Sequence, residues 1–189
     1  MPQVGLKYLV GAKYAESNDS ATYTAGAVLS PITKADVSVE YNEATFYAND
    51  ELRESEKAFK QGTLSLGVDT LDYSVCNMLF GQTAAEKGDS APATLTAKTT
   101  DQPSNIGVGF YAKVLRSGVA SFRAMWLPKV LFKPGADSFE TKGDGINFLA
   151  PTIEGTIMSD VNGAWKVEAM CESEEAAKTW LNTKAGITE

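Results

Sequence analysis

The stretch Ala35–Asp69, ADVSVEYNEATFYANDELRESEKAFKQGTLSLGVD, decides the fold class. Val37, Val39 and Tyr41 alternate with Asp36, Ser38, Glu40 and Asn42, the period of two that puts successive side chains on opposite faces of a strand. The pattern returns in Leu64, Leu66 and Val68 against Thr63 and Ser65. Ala35–Tyr47 and Gln61–Asp69 are therefore expected to be strands. Between them, Ala48–Lys60 is a charged excursion with one aromatic, Phe59. Read as a helical turn, it would set Leu52, Glu56 and Phe59 on one face; read as a loop, it is the tip of a hairpin. An apolar group such as Phe59 inside a strip of mixed charge suits a contact with another protein.

Outward from this stretch the chain continues to read as strands. Val4–Lys13, Ile106–Arg116, Val119–Phe132, Phe139–Leu149, Thr152–Asp160 and Ala164–Cys171 complete the expected set. Ser117-Gly118 is expected to close a tight hairpin, and Asn162-Gly163 is the strongest hairpin signal, because both of its residues tolerate positive φ. Phe122, Ala124, Trp126 and Val130 alternate with Arg123, Met125, Leu127 and Leu131, so both faces of that strand are largely apolar. It is buried in a core or covered by another subunit.

Two helices interrupt the strands. Asp69 or Thr70 is expected to cap Leu71–Phe80, where Leu71, Val75, Met78 and Leu79 form an apolar stripe and Gly81 supplies the C-terminal cap. Ser173 is expected to cap Glu174–Lys184 and to bury Ala177, Trp180 and Leu181. Gln82–Asn105 is polar, rich in Ala and Thr, punctuated by Pro92 and Pro103, and reads as a variable, mobile loop or a short extra strand. The expected fold is mainly β: an antiparallel β-sandwich or barrel with one or two packed helices, in a single domain of 189 residues.

Composition narrows the chemistry. There is no histidine, which removes Ser-His-Asp and Cys-His catalysis, H-E-x-x-H zinc sites and any histidine pH switch. Net charge is −7, without a basic tail, which argues against tight binding of nucleic acid. Cys76 and Cys171 are too few for a disulfide framework; Cys76 reads as a small buried hydrophobe, and a Cys76–Cys171 bridge is the less favoured alternative. Lys7 interrupts the apolar run a signal peptide needs, and no window approaches the length of a membrane span. A soluble protein kept in a reducing compartment is expected.

No catalytic or cofactor motif is complete. Asp160-Val161-Asn162-Gly163 resembles part of a calcium loop but lacks the closing bidentate Glu, so a plain turn is the better reading. Thr141-Lys142-Gly143-Asp144-Gly145 is not a phosphate loop. Glu40, Glu43 and Glu154 could in principle form an acid/base pair, but strand-face carboxylates are usually just solvated. The chain is expected not to be an enzyme, with no cofactor and no metal.

Four segments carry a resemblance to a known family: the opening VGLKYLVGAKY, the strand-rich stretch that begins at Ala35, YAKVLRSGVASFRAMWLPKVLFKPGADSFETKGDGINFLAPTIEGTIM, and the closing NGAWK and AAKTWL. Its most specific words are FYANDELRESEKAF, FRAMWLPKVLF and TKGDGINFLAPTIEGTIM. The chain resembles the major tail protein, or tail tube protein, of long-tailed siphovirus-type bacteriophages, over Val4 to about Leu181 and most weakly in Gln82–Asn105. The resemblance implies a structural virion protein made in the host cytoplasm, a homohexamer whose rings stack by self-assembly into the viral tail tube. DNA would pass through the lumen during ejection without specific binding. The other partners would be the tape measure, tail terminator and tail tip proteins, with no membrane. In the family an extended loop reaches the neighbouring ring, which here maps to Ala48–Lys60 and makes Asp50, Glu51, Arg53, Glu54, Glu56, Lys57 and Phe59 the inter-ring contacts. The lumen is generally negative in such tubes, and six copies would carry six times −7. Asp36, Ser38, Glu40 and Asn42, with Thr152, Glu154 and Thr156 on the neighbouring strand, are the candidate lumen face; the same residues would equally suit the outside of the tube. The immunoglobulin-like domain appended at the C-terminus of longer members is not expected here. Two other classes remain: the inner tube of a contractile injection or secretion device, and a monomeric β-barrel that binds a small apolar ligand.

Overall fold

The computed structural model describes residues 3–17, 19–48, 51–88, 91–116, 118–135 and 150–188. The expected strand Phe139–Leu149 and the Thr141–Gly145 motif lie outside the described residues. In chain order the elements are β1 (Gln3–Ser17), β2 (Ser20–Ser30), β3 (Ile32–Ala48), β4 (Glu51–Val68), α1 (Tyr73–Phe80), β5 (Thr83–Ala85), β6 (Thr94–Thr96), β7 (Asn105–Arg116), β8 (Val119–Lys133), β9 (Thr152–Met158), β10 (Val167–Cys171) and α2 (Glu174–Ala185). One antiparallel sheet runs in the order β2-β1-β7-β8-β9-β4-β3, with β10 also paired to β8; β5 and β6 form a separate small ribbon within the polar loop. The protein is mainly β, with an antiparallel sheet and two helices.

The sheet curls so that its two limbs share an interior. Leu64, Leu66, Val68, Ile153 and Ile157 of the β4–β9 limb pack in one cluster with Leu9, Ile106, Val108, Phe110 and Leu127 of the β1–β7–β8 limb, and α1 adds Val75, Cys76, Met78, Leu79 and Phe80. A second cluster sits on the outer face, where Val10, Ala12, Tyr111, Ala124 and Trp126 meet Ala177, Leu181 and Ala185 of α2. β1, β7 and β8 thus bury side chains on both faces. That is why β7 and β8 lack a polar side, and α2 is the cover over the outer face at Ala124 and Trp126.

The two helices begin differently. The Ser173 hydroxyl accepts the Ala176 N–H at 3.1 Å, the expected cap of α2, and Gly186 closes that helix at φ 66°. Trp180 is only half-buried, while Asn182 and Ala185 join Ala177 and Leu181 in the buried face. α1 starts later than expected, with Asp72 in the capping position and no side-chain cap bond; neither Asp69 nor Thr70 caps it. Thr70 is engaged elsewhere, its carbonyl accepting the Ser30 hydroxyl at 2.6 Å.

One hairpin expectation holds and one fails. Arg116 pairs with Val119 across a turn that contains Gly118 at φ 81°. β9 and β10, by contrast, do not pair with each other. Both lie antiparallel along the same edge of β8, Lys129–Lys133 facing Met158–Glu154 and Phe122–Trp126 facing Cys171–Val167. They form one interrupted strand, and Asn162-Gly163 belongs to the excursion 159–166 that interrupts it. Pro128 falls in the gap between the two pairings, where its missing N–H costs no ladder bond on that edge.

Candidate assembly surfaces

The stretch Ala48–Lys60 is neither a loop nor a helical turn. It is strand, paired with β3 in the order Tyr41↔Phe59, Glu43↔Lys57, Thr45↔Ser55 and Ala48↔Glu51. By alternation Glu56 and Phe59 fall on opposite faces, so the helical grouping of Leu52, Glu56 and Phe59 does not form. β9 accompanies β4 only from Gly67 to Gly62. A Cβ at Gly62 would meet the Ser38 carbonyl oxygen at 2.9 Å and Ile157 at 3.2 Å, so the glycine permits the close approach of three strands there. Beyond it, among the described residues, β3 and β4 pair only with each other. They form an arm about 30 Å long at the usual rise of about 3.4 Å per residue.

The arm is pinned by polar pairs near its base. Lys57 Nζ lies 3.3 Å from Glu43 Oε1, Lys60 Nζ lies 3.5 Å from Glu40 Oε2, and Gln61 Nε2 donates to Glu40 Oε2 at 3.1 Å. All are exposed, so they set register more than they add stability. Of the expected inter-ring residues, Asp50 lies outside the described residues; Glu51, Arg53 and Glu54 lie on the distal part of β4; Glu56 and Lys57 are exposed. Phe59 is not available as an anchor for a neighbour. It is half-buried and stacks on Trp165 of its own chain, with ring centroids 5.2 Å apart and planes 5° from parallel.

The candidate lumen residues do share one face, but β4 stands between the two strands that carry them. The cross-strand rows are Asp36–Ser65–Glu154–Lys133 and Ser38–Thr63–Thr156–Leu131, with Thr152 beside Gly67. Asp36, Ser38, Glu40, Asn42, Thr152 and Thr156 are exposed and Glu154 is half-exposed. The correction concerns charge. Lys34 lies 2.5 Å from Asp36, Lys60 lies 3.5 Å from Glu40, and Lys133 lies 2.7 Å from Glu154. Each carboxylate has a lysine beside it, so the face is polar and nearly neutral and is not a bare negative wall.

Polar contacts also seat α2. The Tyr111 hydroxyl donates to Glu174 Oε1 at 2.6 Å, Tyr8 donates to Asn182 Oδ1 at 2.8 Å, and Lys7 and Lys178 lie within 3.6 and 3.4 Å of Glu174. The hydrogen bond from Tyr111, then the two lysines, hold the Glu174 carboxyl below its ordinary 4.5. Burial and the Glu174 carboxylate push the Tyr111 phenol up. A depressed folded value means stability that is present above 4.5 and is lost as pH falls through the lowered value. The urea midpoint of the wild type should therefore exceed that of Glu174→Gln near pH 7, and the gap should close at strongly acid pH. An equal gap at both pH values would show that ionised Glu174 does not seat the helix.

The remaining candidates resolve into structure. Asp160 Oδ1 accepts the N–H groups of Asn162 and Ala164 at 2.9 and 2.8 Å, so this carboxylate builds a turn. Cys76 lies in the interior cluster and Cys171 against the outer one, on opposite faces of the sheet, and they form no disulfide. Burial raises the Cys171 thiol above its ordinary value. Glu40 and Glu43 project from opposite faces of β3, which separates two of the three carboxylates considered for acid/base work. Among the described residues no group of three or more Cys, Asp or Glu is gathered to hold a metal, and no helix is long and apolar enough to cross a membrane. A cavity of about 300 Å3 opens at the mouth of the curled sheet between Leu6, Ala35, Val37, Phe110 and Met125, with Arg123 at its rim. Arg123 is engaged by Glu168 at 2.5 Å.

Fold and surfaces together define a curled antiparallel sheet with a projecting two-stranded arm and a polar, charge-compensated face. In comparisons with known proteins, no family model matches the chain and no curated protein matches it.

Proposed function

We propose that this chain is a tail tube protein, a structural subunit that forms hexameric rings and stacks them into the tail of a long-tailed bacteriophage. The observation that carries the reading is the β3–β4 arm, which runs about 30 Å past the last strand that supports it. A two-stranded hairpin alone is marginal in water. An arm of this length gains its stability from a neighbour, and reaching an adjacent ring is the task that the resemblance gives to this segment. The long outer edge of β3 adds unsatisfied backbone groups that a closed ring would pair. The polar face of β3, β4 and β9 provides a wetted wall that does not hold phosphates, because its lysines are neutralised in place. In this reading the protein resides in the virion, has other tail proteins as partners, and performs no catalysis.

Size-exclusion chromatography with light scattering tests the reading first. Masses at or above six copies are expected at high concentration, whereas a strict monomer at all concentrations would favour a ligand-binding barrel. A sheath protein that co-purifies with the assembly would instead point to a contractile device.

The wall itself is tested by Glu40→Lys with Glu154→Lys. Each substitution removes a neutralising carboxylate and leaves two cations together, with Lys60 and with Lys133. Tubes should still form, because both sites are on the surface, and DNA release should slow severalfold as phosphates are retained. Release at the wild-type rate through tubes that contain both substitutions would place this face outside the channel.

A further inference from the structure

The excursion 159–166 breaks what would otherwise be one continuous strand along β8, and it is tightly built. Asp160 donates its N–H to the Ala164 carbonyl at 2.9 Å and accepts two N–H groups on its side chain, while Gly163 takes φ 77°. This knot carries Trp165. Its ring lies flat on Phe59, and the Lys166 ammonium sits 4.9 Å from the centre of the same ring. Lys166 is in turn tied to Glu168 of β10 at 3.1 Å. Phe59 pairs with Tyr41 just beyond Gly62, where β9 stops supporting β4. The second rung beyond the last one that β9 supports is therefore held to the body of the protein by Trp165, and both rings border the interior cluster.

We infer that Trp165 is a positioning residue, a brace that fixes the base of the β3–β4 arm and with it the direction in which the arm leaves the sheet. The brace stands on this geometry alone; its consequence, that assembly needs a correctly aimed arm, rests on the tube reading above. A two-stranded ribbon twists and bends easily when nothing packs on it. One flat aromatic contact at its root removes much of that freedom before any partner arrives, which lowers the cost of ordering on association.

Hydrogen exchange of the unassembled full-length protein tests the brace. In Trp165→Ala, amides of residues 40–48 and 51–60 should exchange roughly three- to tenfold faster, the range expected for losing an aromatic pair. Both rings border the interior cluster, so amides of β1, β7 and β8 should change far less than those of the arm. Trp165→Phe keeps a flat ring and should restore most of the protection. Phe59→Ala should reproduce the defect, and the double variant should exchange no faster than either single one. Unchanged exchange in the arm would overturn the inference, as would a rise spread evenly over the core strands, which would make Trp165 an ordinary core residue. If the arm responds as expected but the wild type never forms tubes, the brace stands and the tube reading fails.

Discussion

Shortening the arm should abolish assembly and leave the fold intact. The substitution that respects the register joins Glu43 to Lys57, which face each other across the hairpin, and replaces residues 44–56 with an Asn-Gly turn. The interior cluster lies in the strands behind Gly62, with Phe59 kept at its border, and the outer cluster lies under α2, so the urea midpoint should move by less than about 1 kcal/mol equivalent. Phe59 stays on Trp165 in this variant, which keeps loss of reach separate from loss of bracing. Stacked tubes should disappear from preparations in which the wild type forms them. Reversing the charges at Glu51, Arg53, Glu54 and Lys57 tests the same surface without removing backbone, and should weaken stacking in a salt-dependent way. Tubes of normal length from the shortened protein would show that this arm does not join rings.

The largest effect on stability is expected at Trp126. Its side chain is almost fully buried between the sheet and α2, edge-on to Tyr23 at 5.1 Å. Two glycines on β7 make room for it. A Cβ at Gly107 would lie 2.5 Å from both Trp126 and Tyr23, and one at Gly109 would lie 2.7 Å from Trp126 and 2.6 Å from Leu181. Trp126→Ala should destabilise by about 3–5 kcal/mol, because α2 cannot close over the space that is left. Gly109→Ala should cost about 1–3 kcal/mol by the opposite route, pushing α2 outward through Leu181. Urea unfolding checks both. A loss below about 1 kcal/mol for Trp126→Ala would mean that the outer cluster is not part of the cooperative core.

What could be read from the sequence follows from how regular each strand is. β3, β7 and β8 announce themselves because their alternation or apolar runs are long, and α2 because Ser173 and Gly186 bracket it. β2 went unread because Ser20–Ser30 is built mostly of small residues, and its backbone breaks step where Ala25 takes φ 51°. β1 extends past its legible core for a related reason: its pairing shifts register twice against each of its two neighbours, and Tyr8 adopts φ 62°. The distal part of β4 was hidden by charge. Glu and Lys are poor strand formers, and a run of mixed charge shows no period of two to reveal a strand. Asn162-Gly163 marks a turn correctly; the error lay in assuming that a tight turn joins paired strands, when both neighbours belong to one edge of β8. The polar face was legible in its membership and not in its charge. Lys34 precedes Asp36 by two residues on the same strand, a local pairing that alternation itself exposes, whereas Lys133 meets Glu154 only through the sheet register.

In the proposed reading the arm and the polar face serve a self-assembled hollow tube. Negative-stain electron microscopy of the purified protein at high concentration tests it most directly. Stacked rings of uniform width, with sixfold end-on views and a stain-filled centre, are the expected result. Particles that remain single compact subunits at every concentration, together with an arm that gains no hydrogen-exchange protection on concentrating the protein, would contradict it.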